Sequence, residues 1–218
     1  IEPMDLVFRH PAAPFDPSSP AQRAMAPLKE IVKKKGLWAC HLGPELGGQG
    51  FGQVKLGLMN EILGRSRFAP TVFGTQAPDT GNAEILARFG TEEQKQEWMP
   101  GFLNGTKRLA FGLTEPNHGS DATYLETTAV RDGDEWVLNG SKIFITNGIH
   151  ADLVIVAAIT DPGKGAKGTS LFLVDAHAPG FEKSRKIDKI GQHTSDTALL
   201  FFNDVRLPAE ALLGDENS

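Results

Sequence analysis

The residues best suited to chemistry lie between Leu109 and Asp121, where an apolar run ends in a hydroxyl, a proline turn and a Gly-Ser-Asp bend. Strand amides, the Thr114 hydroxyl and the close backbone approach that Gly119 permits are groups that hold a polar ligand. The same residues also fit a strand followed by an ordinary capped turn. This stretch therefore indicates a ligand cradle but does not identify the ligand.

A second stretch, from Asn139 to Gly148, places Phe144 and Thr146 two residues apart. On a β-strand these two side chains share one face. One strand would then supply an aromatic group to pack on a planar ring and a hydroxyl to bond its edge. Alternation of this kind is also typical of a sheet core, so the spacing by itself leaves both interpretations open.

A glycine pattern in the second half resembles a nucleotide loop. Gly163–Gly168 matches G-x-G-x-x-G letter for letter. That motif needs a helix directly after it, so that a pyrophosphate meets the positive helix end. The residues from Thr169 onward have strand character instead, so we expect a hairpin loop without a ligand.

Hydrolytic and metal chemistry are both disfavoured. Ser120 lies in His118–Ala122, which lacks the second glycine of a nucleophile elbow. Cys40 and the histidines show no metal-ligand spacing, so no metal site is predicted.

The first half of the chain is predicted to be helical. A capped segment over residues 20–35 ends at Gly36, and Leu58, Met59, Ile62 and Leu63 form a stripe on a second helix that we expect in the core. A further segment follows Asp79, and Thr91 with Gln94 predicts a capping box that opens another helix.

The second half is predicted to consist of short strands. Tight hairpins are expected at Asp132-Gly133 and Asn139-Gly140. The seven runs cover residues 109–114, 127–131, 135–138, 142–146, 153–160, 170–174 and 199–202. The fold class is therefore α+β, with a helical domain over residues 1–107 and an antiparallel β-barrel or sandwich domain over residues 108–218.

Composition excludes several classes of partner. The net charge of −5 leaves no cationic excess for nucleic acid or an anionic membrane surface. No apolar run approaches the roughly 20 residues of a membrane span. Cys40 is the only cysteine, so a reducing compartment is expected, and we place the protein in the cytoplasm.

Taken together, the motifs resemble those of the acyl-CoA dehydrogenase family, whose middle domain carries Thr-Glu-Pro-x-x-Gly-Ser-Asp and Lys-x-Trp-Ile-Thr-Asn. Both occur here in order, as Thr114–Asp121 and Lys142–Asn147. Three further segments of the family pattern are present, at Glu45–Gly50, Phe89–Lys95 and Gly191–Pro208.

The resemblance implies a helical N-terminal domain, a middle β domain and a C-terminal four-helix bundle. FAD lies between the last two and reaches a neighbouring subunit, so a homodimer or homotetramer is expected. The bundle, which carries the catalytic Glu in this family, would follow residue 218. We therefore assign no catalytic residue, treat Glu115 as structural, and expect this chain by itself to be inactive.

Eight positions match the cofactor-contacting segments of the family. Phe111, Leu113 and Thr114 would face the isoalloxazine ring, and Gly119 and Ser120 would approach the FAD phosphates. Ser120 would also contact the CoA arm of the substrate. The second segment supplies Phe144, Ile145 and Thr146. Phe144 departs from the usual Trp, Phe111 lacks the hydroxyl of the Tyr in some relatives, and His118 replaces a small residue.

The family reaction removes an α proton and a β hydride from an acyl-CoA thioester and yields a trans-2-enoyl-CoA. The implied partners are acyl-CoA and an electron-transferring flavoprotein, in the cytoplasm or, in a eukaryote, the mitochondrial matrix. Two alternatives stay open. One is an acyl-CoA oxidase or flavin monooxygenase of the same fold, and the other is a non-catalytic binding module.

Overall fold

The computed structural model describes residues 1–8, 19–46, 48–192 and 195–217. His10, Gly47, His193 and Thr194 lie outside the described residues, and the last three belong to two of the family segments. The chain divides into two compact units, one formed by Ile1–Glu84 with Lys189–Ser195 and the other by Ile85–Asp188 with Asp196–Ser218. The proposed domain boundary near residue 107 remains a prediction.

The first unit is built of helices. The second of them begins at Ser19, whose hydroxyl accepts a hydrogen bond from the Gln22 amide, and it ends before Gly36 at a φ of 66°. This confirms the helix expected over residues 20–35. The helices are α1 (Glu2–Val7), α2 (Pro20–Lys34), α3 (Gly52–Leu63), α4 (Ala69–Phe73) and α5 (Asp79–Phe89), the last of which continues into the second unit.

The apolar stripe on α3 departs from the prediction. Leu63 is buried, but Leu58 and Ile62 are 61% and 63% exposed. The expectation that the whole stripe is core is therefore wrong for these two side chains. Helical periodicity identifies an apolar face, but it does not specify what packs against that face.

The second unit opens with α6 (Glu92–Asn104), which starts at the predicted capping box. The Thr91 hydroxyl accepts from the Gln94 amide at 3.2 Å, and the Gln94 side chain accepts from the Thr91 amide at 2.9 Å. The side-chain NH₂ of Gln94 also donates to the carbonyls of Glu210 and Leu212. One side chain thus caps α6 and attaches it to the end of the β region.

The remainder of the second unit is one sheet in the order β6-β7-β3-β2-β4-β5-β8, with β1 paired to β4. Only β1–β4 and a single β2–β4 pair are parallel among the described strands. The α+β class with a mainly antiparallel sheet is confirmed. The strands are β1 (Leu109–Gly112), β2 (Thr128–Asp132), β3 (Glu135–Thr146), β4 (Leu153–Ile159), β5 (Thr169–Asp175), β6 (Phe181–Lys183), β7 (Thr197–Pro208) and β8 (Leu212–Leu213).

One of the two predicted hairpins forms. Strands β2 and β3 turn between Asp132 and Glu135, as expected. The hairpin predicted at Asn139-Gly140 is wrong, because β3 runs straight through it with a shift in register against β7. Gly140 adopts a φ of 145°. A backbone conformation that favours glycine occurs at strand irregularities as well as in turns. The Asn-Gly dipeptide alone therefore does not distinguish a register shift from a hairpin.

The core of the second unit lies against β4, which is buried along its whole length. Its main cluster includes Trp136, Phe172 and Phe202, and a smaller cluster gathers around Leu125, Ala157 and Ile159. In the described part of the chain, no helix is both long and apolar enough to cross a membrane.

Candidate functional site

The two chemically promising stretches lie side by side. The Ile143 amide, in β3, donates a 2.8 Å hydrogen bond to the carbonyl of Thr114, just beyond β1. Residues 29 positions apart in the chain therefore form one continuous surface. The sequence motifs suggested this surface, but their spacing did not require it.

The first stretch offers the ligand mainly its backbone. The Leu113 side chain packs on the small cluster of Leu125, Ala157 and Ile159, so a ligand on the surface would meet its main chain. Phe111 and Thr114 are half-buried. The strand leaves part of each side chain accessible beside that main chain.

The Gly-Ser bend that follows is open to solvent. A tight turn precedes it, closed by hydrogen bonds of 3.0 and 3.2 Å between the main chains of Glu115 and His118. Gly119 and Ser120 are exposed, and a Cβ built on Gly119 would meet nothing within 4 Å. A ligand can therefore approach this main chain closely.

His118, which departs from the family pattern, faces the same bend. Its Nε2 lies 3.3 Å from a carboxylate oxygen of Glu126. Asn117 donates to the same carboxylate. The imidazole thus has a partner within its own loop.

The second stretch contains a bulge that displays the aromatic residue. Lys142 pairs with Leu200, and Ile145 pairs with Ala198, so β3 has one more residue than β7 between these points. Phe144 takes a left-handed φ of 60° and is 64% exposed, whereas Ile145 is buried in the main core. Thr146 is half-buried. The alternation places Phe144 and Thr146 on the outward side, as the sequence suggested.

Glu115 is buried rather than available as a base. It is paired with Lys142 at 2.7 Å, and the side chains of Glu115 and Lys142 are 2% and 0% exposed. Burial by itself raises the pKa of Glu115, but bonds from Lys142, Thr127 and Glu126 outweigh it and hold that pKa below its ordinary value. Burial lowers the pKa of Lys142 against the opposing effect of Glu115. The structural assignment of Glu115 agrees with this geometry.

Sequence reasoning assigned Lys142 no role of its own. Strict alternation would place Lys142 on the outward face with Phe144 and Thr146, so the spacing gave no signal that this lysine is buried. A lysine on a buried face requires a carboxylate partner.

The glycine pattern lies in a 3-10 helical segment, Pro162–Gly168, which is kinked at Gly165 and connects β4 to β5, and a strand follows it directly. The amides of Thr160 and Asp161 donate to the Gly168 carbonyl, and a Cβ on Gly168 would lie 1.8 Å from the Asp161 carbonyl oxygen. This glycine is needed for close packing within the loop. The prediction of a hairpin loop is confirmed.

The joined surface fits a cofactor with a flat ring and a phosphate-bearing arm. An exposed aromatic side chain, two threonine hydroxyls and strand main chain suit a polar aromatic ring, and an open Gly-Ser bend suits phosphate oxygens. Among the described residues, no three His, Cys, Asp or Glu side chains are grouped to hold a metal.

Comparison with known proteins identifies the family. Residues 110–205 match the model of the acyl-CoA dehydrogenase middle domain, and residues 17–106 match that of the N-terminal domain. This chain belongs to the acyl-CoA dehydrogenase family. The recognition made from the motifs is thereby confirmed.

Individual acyl-CoA dehydrogenases show the extent of the likeness. The mitochondrial long-chain specific enzyme of Sus scrofa is 51% identical over 192 residues, which are 87% of this chain and 44% of the pig protein. The butyryl-CoA dehydrogenase structure from Megasphaera elsdenii has a TM-score of 0.67 at 37% identity, over 87% of this chain and 50% of that one.

A glutaryl-CoA dehydrogenase from Mycobacterium smegmatis, solved in complex with FADH2, has a TM-score of 0.70 at 37% identity, over 86% of this chain and 48% of that one. The chain thus spans about half the length of these relatives.

Proposed function

We propose that the full-length protein is an FAD-dependent acyl-CoA dehydrogenase that converts an acyl-CoA thioester to a trans-2-enoyl-CoA. The observation that carries this proposal is the hydrogen bond from Ile143 to Thr114, which joins the two family segments into one surface. The bulge beside that bond exposes Phe144.

In this proposal, two regions of the chain bind different parts of the cofactor. The isoalloxazine ring lies against the strand segments, and the phosphates lie on the Gly-Ser bend, where Ser120 also contacts the CoA arm of the substrate. The ring segments contain Phe111, Leu113, Thr114, Phe144, Ile145 and Thr146, and the bend contains Gly119 and Ser120.

FAD, when bound, supplies the acceptor for the hydrogen removed as hydride. The residues of this chain orient the ring, shield one side of it from water and offer the hydroxyl of Thr146 to its edge. No group of this chain is assigned to proton removal, since Glu115 is buried and ion-paired.

The partners follow from the same proposal. The substrate is an acyl-CoA, and an electron-transferring flavoprotein takes up the electrons. A homodimer or homotetramer completes the cofactor site. The pig relative is named as mitochondrial, and we place this protein in the cytoplasm or, in a eukaryotic cell, the mitochondrial matrix.

Anaerobic titration of the purified full-length protein with acyl-CoA tests the reaction. We expect flavin absorption in the protein as isolated, bleaching on addition of substrate, and recovery with an electron-transferring flavoprotein. Rapid recovery with oxygen alone would identify an oxidase instead. A protein that binds FAD or acyl-CoA without bleaching would be a binding module.

Thr146→Val tests the assignment of the ring segment. The substitution keeps the shape of the side chain and removes its hydrogen bond, at a cost of about 1 to 3 kcal/mol in the transition state. Flavin reduction in a single turnover should slow about tenfold to a hundredfold. Lys164→Ala, in the loop after β4, is the control and should leave this rate unchanged. Equal rates for Thr146→Val and the wild type would refute the role of Thr146.

Ser120→Ala tests the bend. Its partners are non-reacting parts of the ligands, so affinity for FAD or acyl-CoA should fall more than the rate of flavin reduction. Equilibrium titration and stopped-flow absorbance measure the two effects separately. A slower reduction step with unchanged affinities would contradict the placement of Ser120.

A further inference from the structure

The buried ion pair between Glu115 and Lys142 connects every part of the candidate site. The Glu115 carboxylate accepts from Lys142 Nζ at 2.7 Å and from the main-chain amides of Glu126 and Thr127 at 2.5 and 3.0 Å. A buried charge pair costs desolvation energy and is weak evidence for stability in itself. Its position therefore calls for another explanation.

Lys142 reaches the first ring segment from β3. Its Nζ donates to the carbonyl of Leu113 at 3.2 Å as well as to Glu115. On the way its side chain passes over Gly112, where an added Cβ would lie 3.4 Å from Lys142 Cγ. The side chain of Lys142 therefore lies against the end of β1, and its hydrogen bond holds the main chain of Leu113.

The same lysine directly precedes the bulge. A left-handed backbone is strained for a residue as bulky as Phe144 and persists only where the surroundings enforce it. On one side the enforcing contacts are Lys142 and the Ile143–Thr114 hydrogen bond, and on the other side Ile145 is anchored in the core. Phe144 is held outward between these two anchors.

Glu115 extends this linkage to the bend. It binds the main chain of Glu126, whose own carboxylate contacts Asn117 and His118 beside Gly119. One carboxylate and one ammonium group thus link the end of β1, the bulge and the Gly-Ser bend. Both are too deeply buried to touch a ligand on the surface.

We propose that Glu115 and Lys142 are positioning residues of the cofactor site, which set the distance between its two ring segments and hold the Phe144 bulge. This inference rests on the proposed function, since it takes the surface to be the flavin site. It predicts effects on bound flavin that differ from effects on folding.

The test uses the full-length protein and compares Glu115→Gln, Lys142→Met and the double variant. Each single change leaves one buried group without its partner, so both single variants should be less stable. The double change removes both charges and should restore the melting temperature of the FAD-free protein to within a few degrees of wild type. In the double variant Met cannot donate to the Leu113 carbonyl, so the ring segments lose their fixed spacing.

We expect the double variant to bind FAD about tenfold or more weakly, with an altered flavin absorption envelope and a shifted reduction potential. The matched control is Glu135→Gln with Arg206→Met, another carboxylate–cation pair between segments of the same sheet, which is solvent-exposed. It should change none of these quantities. A double variant with wild-type stability, FAD affinity, spectrum and potential would overturn the proposal.

If the double variant yields no folded protein, Glu115→Asp decides the question. This change keeps the charge and shortens the side chain by one methylene, so FAD affinity and spectrum should still change while the protein folds. Wild-type values for Glu115→Asp would then overturn the positioning role. Failure of the proposed function is distinguishable, because it shows in the unmodified protein, which would then bind no FAD, keep its flavin oxidised on addition of acyl-CoA, or be reoxidised rapidly by oxygen alone.

Discussion

At the scale of single residues, the strand that forms the site has unusual backbone conformations at two positions, which differ in whether a side chain has space. Gly140 has a φ of 145°, and a Cβ there would lie 2.5 Å from the Thr127 hydroxyl. Phe144 has a left-handed φ of 60° but points into open space. At both register shifts between β3 and β7 the backbone of β3 is thus irregular, but only the first, at Gly140, excludes a side chain sterically.

Gly140→Ala should therefore destabilise the protein, by about 1 to 3 kcal/mol, because the added methyl group must displace Thr127. The measurement is urea unfolding of the variant against wild type. Gly81→Ala is the control, since Gly81 lies in α5 with nothing within 4 Å of its added Cβ. It should raise stability by about 0.5 to 1 kcal/mol. If Gly140→Ala leaves the free energy of unfolding unchanged, Thr127 must move aside at little cost.

At the scale of elements, Gln94 decides how α6 is attached to the strands of its own unit. Its carbonyl oxygen completes the capping box, and its NH₂ group donates to the carbonyls of Glu210 and Leu212 at 2.7 and 2.9 Å. The two functions are chemically separable because one uses an acceptor and the other a donor.

Gln94→Glu should keep the cap and break the attachment. A carboxylate would face two carbonyl oxygens without a proton to donate, so we expect a loss of at least about 2 kcal/mol. Thr91→Ala, which removes only the cap, should cost about 1 kcal/mol. Chemical denaturation of both variants near neutral pH ranks the two effects, and the reverse order would show that the cap is the stronger contribution.

At the scale of the whole molecule, buried ionisable groups set the response to acid. Burial lowers the pKa of His41 against the opposing influence of Glu84. The unfolded chain takes up protons below about pH 6.5 that the folded chain resists, so stability falls as pH drops below that value. Glu115 affects stability at lower pH. Its pKa is lowered in the fold, so the ionised carboxylate stabilises the protein until the pH falls through that pKa.

Melting temperature should therefore decline in two stages, the first beginning near pH 6.5 and the second below about pH 4.5. Both ring nitrogens of His41 are buried without a hydrogen-bond partner among the described residues. His41→Leu should reduce the first stage and leave the second unchanged, as followed by thermal unfolding from pH 8 to pH 4. An unchanged first stage in this variant would assign that stage to other groups.

The sequence by itself determined the α+β class, the family and the features that depend on near neighbours. The capping box at Thr91 and the β2–β3 hairpin are examples, because each is decided by residues within a few positions. The eight cofactor positions were also named from sequence, through the family motifs, and their contacts with FAD remain predictions.

Only the tertiary structure decided features that depend on distant partners. It placed Asn139-Gly140 inside a continuous strand, opposite an extra residue of β7, rather than in a hairpin, because β7 pairs along both halves of β3. It left Leu58 and Ile62 exposed, since periodicity does not reveal what covers a helix face. Lys142 gained its role through Glu115, 27 residues away. Side chains so far apart in sequence are brought together by packing and strand register, which local propensity and spacing do not encode.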